Sequence, residues 1–365
     1  MMIMLHIVET LTPYGGVPVK LLRLAERLDP AQGRLVFAVF RPAPLDKAME
    51  WAGARVRVIG SISPFRIVSQ LDRIMREEVP TVLCSHHTRG LLTGYVAARR
   101  RGIPLVHHEH SSAEYRRGIG ALAAGVILPK VDRIICNSIY TQRSIEATYP
   151  GTAPKLCHVY DPVEERMSGA NALAVRDELG FCENDLVIGH IGGLIPQRDQ
   201  STLIRAVAVL RRSCPQVKLL LVGDGPERAN LEILTRTLGL SEHVRFTGYR
   251  DAGDLLDAMD LYVNPCVDEG FGIAVVEAMF AGLPVVIAKA GSHPELIVDG
   301  HSGCLYQAGD PEALAARLLW LIHDPDDAKR MGINARIHAG QHFTPGRFLS
   351  GYLAAMQRAL SASTC

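Results

Sequence analysis

Two glutamates, Glu269 and Glu277, stand eight positions apart in the segment DEGFGIAVVEAM at 268–279. A carboxylate repels a phosphate but accepts hydrogen bonds from paired hydroxyls, so each is suited to a polyol such as a ribose or a hexose. Between them, Gly270 and Gly272 allow backbone to approach a phosphate closely. The run IAVVEAMFA has helical spacing and stops before Gly282 and Pro284, the usual order at a helix C-terminus. Free amides at the start of that helix, with the positive end of its dipole, form an anion site. Glu277 lies just over one turn in, and its Cα–Cβ bond tilts back towards whatever sits beside the phosphates. A helix cap followed by an exposed glutamate accounts for the same residues, and the pattern alone leaves both readings open.

Other residues carry weaker signals. In PLVHHEH at 104–110, strand alternation puts His108 and His110 on one face and Glu109 on the other. Only two metal ligands converge locally, so His107, His108, Glu109 and His110 read as a polar strand end rather than a metal site. Gly15 and Gly16 follow the first strand, either as a plain turn or as a place where backbone meets a ligand. GDGP at 223–226 supplies Gly223 and Gly225 but lacks the third glycine of a dinucleotide fingerprint.

Positioning these residues falls to short β-rich runs that alternate with helix-period segments, the pattern of parallel sheets with crossover helices. IMLHIVE, RLVFAVF, RVRVIG, TVLCSHH, PLVHHEH, DRIICNS and KLCHVY form one series. After the polar stretch EERMSGANA come DLVIGHIG, VKLLLVG, VRFTGY, LYVNP, PVVIAKA and GCLYQ. The expected boundaries are 1–165 and 166–345, with a last helix at 346–365 able to pack back on the first domain. Two doubly wound α/β domains facing each other leave a cleft at the carboxyl ends of their strands.

Composition narrows the function classes. The chain has 365 residues, 48% hydrophobic and 21% charged, enough for two cores and unlike a disordered chain. Its 39 basic and 38 acidic residues give no reason to expect nucleic acid as a partner. Eight cysteines without a Cys-x-x-Cys pair favour reduced, buried thiols in a cytoplasmic protein over a disulfide framework or a zinc site. MMIMLHIVETL lacks a basic leader and reads as a strand rather than a signal peptide. No apolar run reaches the roughly 18 residues that span a bilayer. Basic residues in AARRRG at 97–102 and at Arg116-Arg117 adjoin the apolar GIGALAAGVILPK. Such runs are solvated surface, or seat a protein on an anionic membrane.

In order and spacing the motifs resemble the retaining glycosyltransferases of family 4. Those have the GT-B fold, two Rossmann-like doubly wound domains facing across a cleft. DEGFGIAVVEAM matches the family's Glu-x7-Glu signature. TPYGGVPVKLLRLAERL at 12–28, HHEHSS at 107–112, VDRIICNS, LLLVGDGPERANLE and GSHPELIVDGHSGCLY are similar to its further motifs.

The resemblance implies that Glu277 holds the nucleotide ribose and Glu269 the donor-sugar hydroxyls, with amides around Gly270, Phe271 and Gly272 on the sugar and diphosphate. It puts His110 beside the reacting sugar, Gly15 and Gly16 over the phosphates, Gly223 and Gly225 along the nucleotide, and Tyr249 and Arg250 near the base. The family also places an arginine and a lysine on the diphosphate. In IGGLIPQRDQ, Gly193 stands where the arginine is expected and Arg198 where the lysine is expected. Arg198 keeps a charge that can fork onto phosphate; the missing first cation lowers the rate or is replaced by another basic residue. Asp324-Pro325-Asp326 imitates the Asp-x-Asp metal motif of a different glycosyltransferase fold, and reads as a helix-capping turn.

The implied function is transfer of a hexose, with retention, from a nucleoside diphosphate sugar to a hydroxyl of a glycan or lipid-linked acceptor, in polysaccharide or glycolipid biosynthesis. No metal and no cofactor beyond the donor are expected. A phosphorylase or a nucleotide-sugar epimerase would share the cleft. A non-catalytic nucleotide-sugar-binding subunit is the remaining alternative, and Gly193 is the residue that favours it.

Overall fold

The computed structural model describes residues 1–13, 16–61, 63–112, 118–165, 172–250 and 252–362, so Gly15 and the Arg116-Arg117 pair lie outside the described residues. The chain divides into two compact units, Met1–Pro162 with Pro345–Cys365, and Val163–Thr344.

Seven strands build the first sheet: β1 Met2–Val8, β2 Gly33–Val39, β3 Arg55–Val58, β4 Val82–His86, β5 Leu105–Glu109, β6 Arg133–Cys136 and β7 Leu156–His158. All pair in parallel, in the order β3-β2-β1-β4-β5-β6-β7. The inner strands are near-continuous apolar runs because helices cover both faces of a parallel sheet. On one face Leu5, Ile7, Val36, Leu83 and Leu105 pack with Ile67, Leu71 and Leu91. On the other, Met4, Phe37, Val82 and Val106 meet Leu21 and Leu24 of the helix Gly16–Arg27. The final helix, Pro345–Ala362, closes this second face, laying Phe348, Tyr352, Ala355, Met356 and Ala359 into the same cluster.

The second sheet has six parallel strands: β8 Leu186–Ile191, β9 Val217–Val222, β10 Val244–Phe246, β11 Leu261–Asn264, β12 Val285–Ala288 and β13 Cys304–Tyr306. Their order is β10-β9-β8-β11-β12-β13. Asp324 accepts a hydrogen bond from Asp327 N–H at 3.0 Å and caps the helix Pro325–His342, so the Asp-Pro-Asp string is a helix start. Among the described residues no helix is long and apolar enough to cross a membrane.

In both sheets the strand order reverses once, between β1 and β4 and between β8 and β11. Crossover helices leave the carboxyl edge open at such a reversal, which is where ligands of doubly wound sheets bind.

The outer edge of the first sheet is held differently. Glu78, at the end of the helix Pro64–Glu78, is buried among three arginines. Arg34 of β2 approaches it at 3.3 Å, and Arg55 and Arg57 of β3 at 2.9 Å and 2.5 Å. Arg55 and Arg57 share a strand face by alternation, so one carboxylate ties two short neighbours to one helix end. Burial by itself raises the Glu78 pKa, and hydrogen bonds from Arg57 and Arg55 outweigh it and hold the carboxyl below its ordinary value. A carboxylate depressed in this way stabilises the fold above its unfolded pKa of about 4.3, and that contribution is lost as pH falls through the folded value. Because the arginines are partly exposed, we expect Glu78→Gln to cost about 2 kcal/mol at neutral pH. Urea unfolding should show the gap between wild type and variant closing below about pH 4; a gap of constant size would contradict the assignment.

Candidate active site

At the β8/β11 reversal two loops run side by side. The chain leaves β8 through Gly192 and Gly193 to a turn at Pro196–Arg198, then enters the helix Gln200–Leu210. From β11 it passes Glu269 and enters the helix Ile273–Phe280. Val267 N–H donates to the Gln197 carbonyl at 3.0 Å, tying the loops together. Their side chains meet as well, Arg198 Nη1 donating to Glu269 Oε2. The carboxylate side chain keeps 9% of its exposure and the guanidinium 28%, so the pair is largely desolvated but reachable from the arginine side. Burial alone lowers a guanidinium pKa; the Glu269 carboxylate reverses this and raises it. Arg198 is therefore a permanent cation.

The loop around Glu269 is braced from behind. Gly291 has φ +56°, and a Cβ there would lie 2.5 Å from Glu269 N and 2.6 Å from its carbonyl oxygen. Only glycine allows this approach. Ser292 N–H donates to the Glu269 carbonyl and Ser292 Oγ to the Phe271 carbonyl, each at 2.9 Å. The Phe271 ring is buried edge-on against Phe343, leaving its backbone to face the loop. Gly272 is the N-cap of the helix at φ +95° and has no side chain of its own to cap the first turn. Glu277, half-buried, is the fifth residue of that helix.

A third loop leans on the first. Leu194 N–H donates to the Asp224 carbonyl at 3.0 Å and Gly192 N–H to that of Val222 at 2.9 Å. A Cβ on Gly223 would sit 2.1 Å from the Gly192 carbonyl oxygen, and one on Gly225 2.3 Å from that of Leu194. Both glycines are thus required for the loops to touch. Gly193 is unlike them, since a Cβ there would meet only the Asp224 carbonyl, at 3.9 Å. The exposed Tyr249 donates its hydroxyl hydrogen to the Asp224 carbonyl at 3.2 Å, at the margin of this group. Arg250 forks onto Glu178 at 2.7 Å and 3.2 Å.

At the reversal in the first sheet lies a second polar group. His110, just past β5, has its Nε2 3.0 Å from His86 Nδ1 and its Nδ1 3.1 Å from Lys20 Nζ. Lys20, on the helix opened by Gly16, is buried and bonded to Asp161 at 2.6 Å. Asn137 Nδ2 donates to the His110 carbonyl at 3.1 Å and to Asp161 at 3.4 Å. Burial holds His110 and His86 well below the ordinary histidine pKa, with Lys20 contributing to both and His108 adding to each. These imidazoles are neutral. Among the described residues, no group of three or more His, Cys, Asp or Glu side chains is arranged to hold a metal ion.

Several residues of these groups carry no sequence signal of their own. Lys20 is one cation on an amphipathic helix, and Asp161 and Asn137 are single polar residues after strands. His6 and His86 sit within apolar strands eighty positions apart, and only the parallel pairing of β1 with β4 brings them together.

Residues 173–338 match the family model described as glycosyl transferases group 1, and residues 14–165 match glycosyltransferase family 4. The structure superimposes on HepE of Anabaena in complex with UDP and glucose with a TM-score of 0.87 and 26% identity, covering 98% of this chain and 100% of that one. The chain is a glycosyltransferase with the GT-B fold. The enzyme is also similar to the D-inositol 3-phosphate glycosyltransferase of Streptomyces avermitilis, 29% identical over 94% of this chain and 84% of that protein. A HepE complex with UDP-glucose gives a TM-score of 0.86 at 26% identity, with complete coverage of both chains (100% each).

Proposed function

We propose that the enzyme transfers a hexose from a uridine diphosphate sugar to a hydroxyl acceptor, with retention at the anomeric carbon. The observation that carries this reading is the Arg198–Glu269 pair at the β8/β11 reversal, beside a helix that starts at a glycine. The similar HepE structures bound to UDP and to UDP-glucose support a uridine nucleotide as donor. Glu277 receives the ribose hydroxyls, Glu269 the hexose hydroxyls, and Arg198 with the amides of Gly270 to Gly272 the diphosphate. The resemblance assigns His110 to the sugar, and Gly193, Gly223 and Gly225 to the nucleotide.

As the glycosidic bond breaks, negative charge grows on the departing diphosphate, and a fixed cation with fixed amides stabilises it without reorganisation. With no second carboxylate assigned as nucleophile, the departing diphosphate oxygen takes the acceptor proton on the same face. The acceptor is a hydroxyl of a glycan or lipid-linked glycan; the relatives named for inositol 3-phosphate make a phosphorylated polyol the second candidate for an acceptor screen.

Glu277→Ala removes the acceptor for two ribose hydroxyls and should weaken UDP binding roughly thirtyfold by calorimetry. Glu269→Gln should keep UDP affinity within a few-fold and lower kcat about a hundredfold or more. Unchanged UDP affinity in the first variant together with full turnover in the second would rule out these assignments.

The open space at Gly193 makes a further substitution informative. Gly193→Arg should fold normally and tighten binding of a UDP-sugar about tenfold through a second charge-assisted contact. Weaker binding in that variant would mean that Gly193 is needed for close approach rather than being a lost cation.

Membrane association belongs to the same reading. On the helix Gly118–Ile127, Ile119, Leu122 and Val126 are 85%, 75% and 59% exposed. Their spacing makes one ridge. The helix packs against the helix His87–Arg101, which ends in the exposed Arg99, Arg100 and Arg101. Co-sedimentation with anionic vesicles should occur at low salt and fall several-fold in Ile119→Glu/Leu122→Glu. Equal sedimentation with and without vesicles would argue against it.

A further inference from the structure

Five side chains of the first unit hydrogen-bond head to tail. Lys20 Nζ meets His110 Nδ1 at 3.1 Å, His110 Nε2 meets His86 Nδ1 at 3.0 Å, His86 Nε2 meets His6 Nδ1 at 3.0 Å, and His6 Nε2 meets the Tyr352 hydroxyl at 3.0 Å. Beyond Tyr352 the series continues weakly to Cys84 Sγ at 3.8 Å, and from Cys84 to Met356 Sδ at 3.9 Å. The three imidazoles come from β1, from the end of β4 and from the residue after β5. Tyr352 and Met356 come from the final helix.

The two ends of this series settle its direction. An ammonium has only donors, and a thioether has only weak acceptors. Lys20 carries its charge against Asp161 at 2.6 Å, so it must donate to His110 Nδ1. His110 Nδ1 is then bare and its proton is on Nε2, where it is donated to His86. The same step repeats at His86 and at His6. Tyr352 accepts from His6 and turns its own hydrogen towards Cys84. Reversing the series would point a histidine N–H at the ammonium.

We propose that Lys20 is a positioning residue for the transfer reaction: by donating into one end of a one-way hydrogen-bond series it fixes His110 as the neutral Nε2–H tautomer in a single ring orientation. Asn137 completes the clamp by donating to the His110 carbonyl at 3.1 Å, and its own amide is oriented by Thr141 Oγ1, which donates to Asn137 Oδ1 at 3.0 Å. Both ring nitrogens of His110 are committed to protein partners. His110 is therefore held in one ring orientation with a fixed backbone, and does not act as a base through its imidazole. The burial that pushes His6 down to about 3, and His86 and His110 well below the ordinary range, is in keeping with a neutral series. The role in transfer rests on the proposed assignment of His110 to the sugar, whereas the direction of the series does not.

Nitrogen-15 imidazole spectra of the ligand-free protein test the direction alone. His6, His86 and His110 should all appear at neutral pH as Nε2–H tautomers. Tyr352→Phe cuts the far end and should leave the His110 tautomer as it is, whereas Lys20→Met should release it to a mixture and Lys20→Arg should restore it. Because Lys20→Met strands Asp161, the same measurement is made in Lys20→Met/Asp161→Asn, which removes both charges. In transfer assays Lys20→Met should lower kcat about tenfold with the donor KM unchanged, and Lys20→Arg should recover most of it. An Nδ1–H tautomer or an imidazolium at His86 or His110 in the wild type would overturn the direction. Wild-type tautomers in both variants lacking Lys20 would overturn its cause. A changed tautomer with wild-type kcat would overturn the positioning role. Absence of transfer from any UDP-sugar by the wild type would count against the proposed function and leave the spectra to decide the direction.

Discussion

A parallel sheet whose strand order reverses leaves an opening at its carboxyl edge, and this enzyme has one such opening in each unit. The constraint reaches further than ligand access. Polar side chains at the opening are shut off from water by the strands beneath them, so each must find a partner. In the second unit the answer is an ion pair, Arg198 with Glu269, carried on two loops that share a backbone hydrogen bond. In the first it is a chain of neutral imidazoles ending on the Lys20–Asp161 pair. One opening thus holds an ion pair between two loops, and the other a row of neutral rings beside an ion pair.

Glycine carries the geometric part of the same constraint. Gly223 and Gly225 let one loop lie on another, and Gly291 lets the turn after β12 touch the backbone of Glu269. None of these needs a ligand to explain it. GDGP, which by itself suggests a nucleotide motif, is first a packing device for the loop after β8. It holds residues 192–194 in place. Gly193 has no such packing duty.

Much of the architecture was legible in the residues. Apolar runs bounded by turns marked the strands, and PFRIVSQLDRIMREE coincides with the helix Pro64–Glu78 because Pro64 can start a helix and the apolar positions recur at its period. The spacing of Glu269 and Glu277 across a loop and a helix start was also legible, since both positions are local. What could not be read was anything that depends on strand order. His107, His108, Glu109 and His110 looked like one polar strand end, yet His110 finds its partners on β4 and on the first helix, while His107 Nδ1 lies 2.9 Å from Ser85 Oγ. The pairing of Arg198 with Glu269, seventy-one positions apart, likewise needs β8 and β11 to be neighbours. The place of Pro345–Cys365 in the first unit is set by the fit of Phe348, Tyr352 and Met356 against the face that Met4 and Val106 present.

A buried ion pair is poor evidence of stabilisation, because the cost of desolvating two charges is of the same order as their attraction, and an apolar pair of similar size does as well. The Arg198–Glu269 pair therefore asks for another explanation. Its surroundings hold both loops without it: Val267 bonds to Gln197, Ser292 to Glu269 and Phe271, and Gly291 packs on the Glu269 backbone. If the fold is secured by backbone contacts, the two side chains are free to be chosen for chemistry. On the proposed reading, their mutual neutralisation keeps an anion-binding arginine and a hydroxyl-binding carboxylate charged and oriented while no donor is present. A donor that brings negative diphosphate and neutral hydroxyls together on one molecule exchanges each partner for one of matching character. A lone phosphate or a lone sugar would satisfy only half of the pair. On that reading, selectivity for the joined molecule over either part would follow from that division.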